Sequence, residues 1–509
     1  MYEELVNELL SDPQKLIQKK PFTRGFQDAT CYSDDGQTVG VNCTVSARLP
    51  RFKKEIVSQE TFMKELDPNS HAVLFDENIP SLSIKTKEGG YVDVKFSRCA
   101  IPFQRIIKNK QVLHLTGHKM QFSLIGNQPS EKEQEDFAIF KQYWDLRNQD
   151  GMKNKMVDAQ KSYGDAGLLY YFDYDNNIKS RLLSFEDGYV LCPHNDQNGD
   201  RILESVYYVN GNVEYIDSYD RKYMYRYTLD SSANGGDSNW VLHEPVLHGF
   251  DEIPLITKRG NVAWNDVQHL CSGFELLYNV FMAIQRRHGW GLLYVKGKFK
   301  DSVQKIAGSV ILNDTSLEGK GDAKFLTPPD PQGYLETLSS LFDHIQLGSS
   351  TTFLLPKDIK FSGDISGIAI QLTQNLDINN ALLGVIEWQN VADKMVRLFK
   401  YGLAKELVDK KINKQAITDF QNLNISGKFK VWRPMNDYEY NQMLTLLVGG
   451  GILSKRTGTE KNTESTPDEE IRLKAQRAEE EQRLLSQAQA QANAARQAYG
   501  GSINNNNNN

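Results

Sequence analysis

The chain has 509 residues, of which 39% are hydrophobic, 24% charged and 10% aromatic. This is length for about three domains and enough apolar material for a folded core, which excludes a disordered chain. The 59 Lys and Arg against 65 Asp and Glu give a formal net charge of -6, which excludes a strongly basic protein that binds nucleic acid tightly through its phosphates.

The sequence predicts neither a membrane-spanning segment nor a secretory leader. The uncharged stretch 443–453 is shorter than the ~20 apolar residues of a membrane-spanning helix and holds three consecutive glycines. Residues 1–10 carry three glutamates and lack the apolar centre of a signal peptide. The five cysteines are odd in number and form no C-x-x-C pair, which indicates reduced, mostly buried thiols.

The first half of the chain reads as an α+β domain. Residues 71–126 contain short runs of alternating polar and apolar residues, which predict strands. Residues 130–163 change to helical spacing after an acidic first turn, which predicts one long amphipathic helix. Alternation returns over 167–256, where Asn210-Gly211 predicts a hairpin in a β meander.

The second half begins with two one-sided helices around a compact insertion. Apolar residues over 264–288 follow steps of three and four, which predicts a long helix with one apolar face. Residues 289–331 predict a small α/β insertion whose strands flank a short helix, 301–307. A second amphipathic helix is predicted over 332–347.

A polar loop and the longest helical pattern follow. The loop is 348–365, and the helical pattern from 366 to about 408 would be about 60 Å long at 1.5 Å per residue. Gly384 lies within it, where a kink is expected. A last helix, rich in Ala, Gln, Glu and Arg, is predicted over 467–499, and the poly-Asn tail 500–509 is predicted to be disordered.

Motifs for catalysis or metal binding are weak. The run from Gly449 to Lys455 lacks the glycine that precedes the lysine of a phosphate-binding loop, so we interpret it as an interhelical turn. The run from Asp173 lacks the Gly and Glu of a calcium loop and is interpreted as a hairpin turn. His114 and His118 are four apart in a stretch that reads as strand and turn, which disfavours a metal site. We therefore expect no cofactor and no enzymatic activity.

Four segments, spread over nearly the whole chain, resemble a known family in their order and spacing. They are 246–256 with Asn265-Asp266-Val267, 291–297, 363–376 with Ser366-Gly367-Ile368-Ala369-Ile370, and 450–457 followed by Pro467-Asp468-Glu469-Glu470. They are similar to four segments of the portal proteins of tailed bacteriophages. In the same order, these are the entry into the first stem helix, the strand that opens the clip, the start of the long kinked helix after the tunnel loop, and the closing segment from wing to crown.

The resemblance implies a portal-type α+β fold with a β-rich wing, two stem helices, a small α/β clip, a tunnel loop, a long kinked helix and a short C-terminal helical crown. The implied boundaries are 1–262 for the wing, 263–288 and 332–347 for the stem helices, 289–331 for the clip, 348–365 for the tunnel loop, 366–453 for the long helix and return to the wing, 454–499 for the crown, and 500–509 for the tail.

The family also implies a function without chemistry of its own. Its members form rings, usually of about twelve copies, at one vertex of the capsid, and double-stranded DNA passes through the channel during packaging and ejection. The implied partners are further copies of the chain, DNA held non-specifically and transiently, the terminase large subunit, the head-tail adaptor, and the major capsid or scaffolding protein, with no membrane. The implied location is the virion, after assembly in the bacterial cytoplasm.

The resemblance assigns roles to particular residues. The tunnel-loop residues that would face DNA are Phe353, Lys357 and Lys360. The stem residues that would pack between subunits are Val267, Phe274, Leu277, Phe281, Leu338, Leu341 and Ile345. The clip residues that would dock the terminase or adaptor are Tyr294, Lys296, Lys298 and Lys300, and the long helix would kink at Gly384.

Alternatives remain open at this point. The stem helices could be core helices of a monomer, and the loop lysines could be solvated and never touch DNA. The chain could be another virion structural protein, such as an adaptor or baseplate component, which has the β-rich wing but conducts no DNA. A third hypothesis is a nuclease or protease with a scattered site, which metal-dependent cleavage of plasmid DNA would support.

Overall fold

The fold is seen in a computed structural model of the chain. The residues that it describes are 2–27, 31–32, 38–39, 52–77, 79, 82–85, 91–94, 97–126, 129–230, 239–288, 292–296, 310–313, 322–326, 332–353, 373–433, 437–454, 458–459, 462 and 469–503. Within them the α-helices are α1 (Tyr2–Leu10), α2 (Pro13–Leu16), α3 (Gln59–Leu66), α4 (Phe103–Thr116), α5 (Glu131–Leu146), α6 (Gln149–Tyr163), α7 (Gln268–His288), α8 (Gln332–Ser349), α9 (Asn375–Asp409), α10 (Ala416–Asn422), α11 (Asp437–Gly449) and α12 (Glu469–Ile503).

The strands of the described residues alternate with these helices and confirm the α+β class. They are β1 (Phe22–Gln27), β2 (Cys31–Tyr32), β3 (Thr38–Val39), β4 (Phe52–Val57), β5 (Leu82–Lys85), β6 (Tyr91–Val94), β7 (Gln121–Leu124), β8 (Asp165–Phe172), β9 (Ile178–Leu183), β10 (Val190–Asn195), β11 (Arg201–Asn210), β12 (Val213–Tyr219), β13 (Tyr223–Asp230), β14 (Val241–Leu242), β15 (Val246–Leu247), β16 (Leu255–Arg259), β17 (Leu292–Lys296), β18 (Val310–Asn313), β19 (Asp322–Leu326) and β20 (Ile425–Lys428).

The β meander predicted over 167–256 is confirmed in part: β10 to β15 form a six-stranded sheet, whereas β8 and β9 pair with β16 in a separate three-stranded sheet. The order of the six-stranded sheet is β10-β11-β12-β13-β14, and β15 also pairs with β13. The β11–β12 hairpin places Tyr207 opposite Ile216. It turns directly after Asn210, at Gly211, whose φ of 63° is a conformation that glycine adopts without strain. The hairpin predicted at Asn210-Gly211 is therefore present.

The single long helix predicted over 130–163 is wrong, because the segment forms α5 and α6. Ser130 and Glu133 make a reciprocal capping box at the start of α5, as the acidic first turn suggested. The chain then breaks at Asn148, which has a left-handed φ of 48° and accepts a bond from the Gly151 backbone N–H at 3.3 Å. Asparagine tolerates this conformation, and apolar periodicity carries no sign of it.

The main hydrophobic core forms around the long helix α9. The indole of Trp144 on α5 meets the ring of Phe399 at 5.2 Å and 82°. Trp388 and Phe399 are 1% and 0% exposed, so α9 is buried along this face. The long helical pattern is confirmed from Asn375 onward, whereas residues 366–372 lie outside the described residues.

The strands predicted over 71–126 are only partly confirmed. Strands β5, β6 and β7 are present, but helix α4 occupies the middle of the range, where the prediction of strand is wrong. The reason is burial on two sides. Ile107 belongs to a second hydrophobic core with Phe103 and Trp264, whereas Leu115 belongs to the main core. A helix held between two cores shows no single apolar stripe.

The two helices of the second half, α7 and α8, are present, with strands between them as predicted. These strands form a small sheet of order β18-β17-β19, in which β17 runs parallel to β18 and antiparallel to β19. Strand β19 was not predicted. The predicted short helix 301–307 lies outside the described residues.

The chain divides into two compact units. The first comprises Met1–Leu355 with Gln374–Trp432, and the second comprises Pro356–Thr373 with Arg433–Asn509. The second unit includes α12, which confirms the last helix predicted over 467–499 and, at 35 residues, is as long as α9. Because α12 runs to Ile503, the prediction that the tail is disordered from residue 500 is wrong at its start. Among the described helices, none is long and apolar enough to cross a membrane.

Candidate functional site

The predicted stem residues fall into two groups, of which one is buried within the chain. Val267 is 1% exposed, Leu338 is 8% exposed and Ile345 is 0% exposed. Val267 and Ile345 pack into the second core together with Phe103 and Trp264. The prediction that these three residues pack between subunits is therefore corrected, since a residue already buried in one chain cannot bury itself again against a neighbour.

The other predicted stem residues are only half-buried. Phe274 packs edge-on against Phe103 at 5.2 Å, and Phe281 lies 5.7 Å from Tyr334 of α8. Leu277 and Leu341 are also half-buried and stay candidates for contact with a neighbour. The more exposed apolar side chains of the two helices were missed by sequence reasoning. They are Leu276, Met282, Tyr334, Leu335 and Leu347.

One face of α7 is buried along a row of residues spaced four apart, and polar contacts fix this face. The row consists of Cys271, Glu275, Asn279 and Ala283, and its two polar members, Glu275 and Asn279, are each 4% exposed. The Glu275 carboxylate accepts from His71 Nδ1 at 2.8 Å and from a backbone N–H at 2.6 Å, and Asn279 bonds both the N–H and the carbonyl of residue 99. This row marks the buried face of α7, and the exposed Leu276 and Met282 lie on either side of it.

The segment after α8 forms the first side of the base of the predicted tunnel loop. Ser350 has a left-handed φ of 49°, which ends the helix, and the Thr351 N–H donates to the Gln346 carbonyl at 3.0 Å. The Phe353 N–H donates to the Gln346 side-chain oxygen at 2.7 Å. The Thr352 N–H reaches both carboxylate oxygens of Asp377, at 3.3 and 3.2 Å.

Asp377 forms the second side of this base, because it lies in the first turn of α9, where the chain returns. Its side chain is 2% exposed, and Lys110 Nζ of α4 lies 3.7 Å from its Oδ2. Lys110 Nζ also donates to the carbonyl of Thr352. One buried carboxylate and one lysine thus hold both ends of residues 354–372. We call this arrangement of Lys110, Gln346, Thr352 and Asp377 the loop base.

The structure places the other predicted site residues as follows. Phe353 packs against Phe342 at 5.4 Å and Phe103 at 6.0 Å, so its ring belongs to the second core. Tyr294 and Lys296 lie on β17. Residues Lys357, Lys360, Lys298 and Lys300 lie outside the described residues. Gly384 packs closely, since a Cβ there would lie 3.3 Å from Leu115 of α4, and α9 continues through it without interruption.

The strand predicted at His114 is wrong, because His114 lies on α4 and His118 follows the end of the helix. His114 is 1% exposed, and its Nδ1 donates to the Trp432 carbonyl at 3.1 Å. Burial lowers the pKa of both histidines. Within the described part of the chain, no group of three or more His, Cys, Asp or Glu could hold a metal ion.

Two buried thiols and one polar cavity complete the chemistry of the described residues. Burial raises the pKa of Cys192 to about 11 and that of Cys271 to about 12, so neither is a thiolate nucleophile at neutral pH. A cavity of about 480 Å³ beside the loop base is lined by Gln111, Lys161 and Lys258, among others. Its lining is mainly polar, so it can accept polar groups.

Comparison with known proteins identifies one family. The family model described as "Phage portal protein, SPP1 Gp6-like" matches residues 92–484, more than half of the chain. No curated protein sequence matches. A solved structure described as "Neck of empty GTA particle computed with C6 symmetry" is 12% identical, with 70% of this chain and 88% of that chain covered and a TM-score of 0.37. A likeness of that degree supports no conclusion, so the assignment rests on the family model.

Proposed function

We propose how this chain works from the premise that it belongs to the family of SPP1 Gp6-like phage portal proteins. As a portal protein it is a component of the virion. We propose that about twelve copies close into a ring at one capsid vertex and that double-stranded DNA passes through its channel in packaging and ejection. The observation that carries the proposal is the family match, which runs from β6 into α12.

The exposed apolar side chains of α7 and α8 support the ring. In a closed ring each copy offers two different surfaces to its neighbours, so an apolar face left open on one chain is covered by the next. Leu276, Leu335 and Leu347 are 43%, 47% and 66% exposed. These side chains, rather than the buried Val267 and Ile345, are the proposed contacts between subunits.

We propose that the tunnel loop touches DNA through Lys357 and Lys360 and that the loop base holds its two ends. The formal net charge of -6 suits a channel that lets DNA slide, because few phosphate contacts mean weak binding that is readily released. The clip, 289–331, is the proposed docking site for the terminase large subunit and the head-tail adaptor. An adaptor or baseplate role without DNA conduction is not favoured, since the match is to portal proteins.

The assembly is tested by charging the exposed faces of the stem helices. We expect Leu276→Asp with Leu335→Asp to abolish rings, because two carboxylates would be buried between subunits without partners. Sedimentation velocity measures the loss of rings, and far-UV circular dichroism checks that the chain stays folded. The matched control is Ser272→Asp with Ser339→Asp, which adds the same charge at exposed polar positions of the same helices and should still assemble. Rings from the leucine variant would remove these faces from the interface.

A further inference from the structure

Helix α4 binds two segments that are far apart in sequence, at sites on the helix that are one turn apart. Lys110 and Gln111 bind the first segment, 349–352, at the loop base. His114 binds the second segment at Trp432. Trp432 is the last residue of the first unit before the chain passes to the second. We infer that α4 couples the loop base to this exit segment, so that a displacement of either one loosens the other. The coupling of contacts stands by itself, and its use in DNA passage rests on the proposed function.

On the side of the loop, the contacts leave little freedom. Gln111 Nε2 donates to the Ser349 carbonyl at 3.1 Å and lies 3.3 Å from the carbonyl of Ala263. Lys110 is the cation nearest the almost fully buried carboxylate of Asp377, which in turn receives the Thr352 N–H. A shift of α4 that separated Lys110 from Asp377 would leave a buried carboxylate without its cation, an arrangement that proteins avoid. The loop base therefore follows α4.

On the side of the exit segment, the contacts are reciprocal. The Trp432 N–H donates to the His114 carbonyl at 2.7 Å, and His114 Nδ1 donates back to the Trp432 carbonyl at 3.1 Å. That carbonyl of α4 is free to accept because it lies in the last turn of the helix. The two rings meet at 5.2 Å and 65°, and a Cβ on Gly117 would lie 3.0 Å from the Trp432 side chain. Trp432 is thus fixed to α4 through its backbone and its ring.

The helix between the two contacts can transmit a displacement because it is held at both ends. Phe103 and Ile107 anchor it in the second core, and Leu115 anchors it in the main core. Four residues of helix separate Lys110 from His114 by about 6 Å, too short a distance for bending. The loop base also acts on His114 directly. Burial lowers the pKa of the imidazole most, the bond to the Trp432 carbonyl and the charge of Asp377 raise it less, and the charge of Lys110 lowers it further. His114 accordingly stays neutral, with its proton on Nδ1.

Hydrogen exchange of the full-length chain, read by mass spectrometry, tests the coupling in both directions. We expect Trp432→Ala to speed exchange of the Thr352 and Phe353 amides at least about tenfold, although neither residue contacts Trp432. The reverse experiment, Asp377→Asn, should speed exchange of the Trp432 amide. Both variants keep the backbone bonds of residue 432. Trp432→Phe also keeps an aromatic ring at the His114 contact, so it should give a smaller change of the same sign, and it decides the matter if the alanine variant unfolds.

The control for general loss of stability is Phe250→Leu. Phe250 stacks on Phe172 at 4.8 Å in the main core, whereas Phe353 packs in the second core, so this variant should leave the Thr352 and Phe353 amides unchanged. The coupling would be overturned if each substitution changed the exchange of amides only near the substituted residue, in both experiments. Neither result depends on ring formation or on DNA, so failure of the coupling and failure of the portal function are told apart.

Discussion

Two histidines of the first unit, the buried His71 and the half-buried His248, carry opposite charge states, which their surroundings determine. His71 donates from both ring nitrogens, to Glu275 Oε1 and to the Glu65 carbonyl, each at 2.8 Å. Burial lowers the pKa of His71, but the hydrogen bond and the charge of Glu275 outweigh burial, and the pKa is raised. His248 accepts from the Phe250 N–H at 3.2 Å, and burial lowers its pKa. His71 is therefore held as the cation and His248 as the neutral base.

The pH dependence of stability should differ in sign between these two histidines. A raised folded-state pKa contributes stability that is fully present below the unfolded value of about 6.5 and is lost as pH rises through the folded value. We expect the difference in free energy of unfolding between wild type and His71→Asn to be largest near pH 5.5 and to shrink toward pH 9. Urea denaturation across this range measures it.

His248→Asn is the matched control for this experiment. Its lowered folded-state pKa contributes stability that is present above about pH 6.5 and is lost as pH falls through the folded value. The advantage of wild type over this variant should therefore shrink on acidification. The same pH slope for both variants would contradict the assignment of His71 as the cation.

At the scale of elements, two glycines of α9 show how tightly the helix is packed. A Cβ on Gly402 would lie 2.4 Å from Ile178 Cδ1, and Ile178 is 0% exposed and cannot move aside freely. A Cβ on Gly384 would lie 3.3 Å from the methyl groups of Leu115, a tight contact that small shifts relieve. The two positions share one helix but differ in the space beside them.

Alanine at these two positions should have different effects on stability. Alanine in place of glycine favours a helix by about 1 kcal/mol, whereas overpacking a core costs about 1–3 kcal/mol. We expect Gly402→Ala to lower the free energy of unfolding by about 1–2 kcal/mol and Gly384→Ala to change it by less than about 1 kcal/mol. Urea denaturation of both variants measures the difference. An equal or larger loss at Gly384 would show that this position needs glycine, as the predicted kink requires.

The elements that periodicity could predict are those with one apolar face. Helices α7, α8 and α9 and the β meander were found in this way. Periodicity does not predict α4, because this helix is buried between two cores, and it does not predict the break at Asn148, because a left-handed residue leaves no periodic signal. Of the candidate site, the stem helices could be predicted, but not the loop base. Lys110 and Thr352 are 242 positions apart, and only the fold brings them together.

At the scale of the whole molecule, family membership and the open faces of α7 and α8 support the same assembly. Leu276 and Leu335 remain about half exposed on the single chain. Scattered apolar residues are ordinary on a protein surface, but several on two paired helices mark an interaction face. A ring of identical copies covers this face without requiring a second protein.

Negative-stain electron microscopy of the purified chain, with native mass spectrometry of the same sample, tests this assembly. We predict rings with a central hole and a mass of about twelve copies. A closed dimer without a hole, or a chain that stays monomeric when it is produced together with capsid and scaffolding proteins, would contradict the proposed channel.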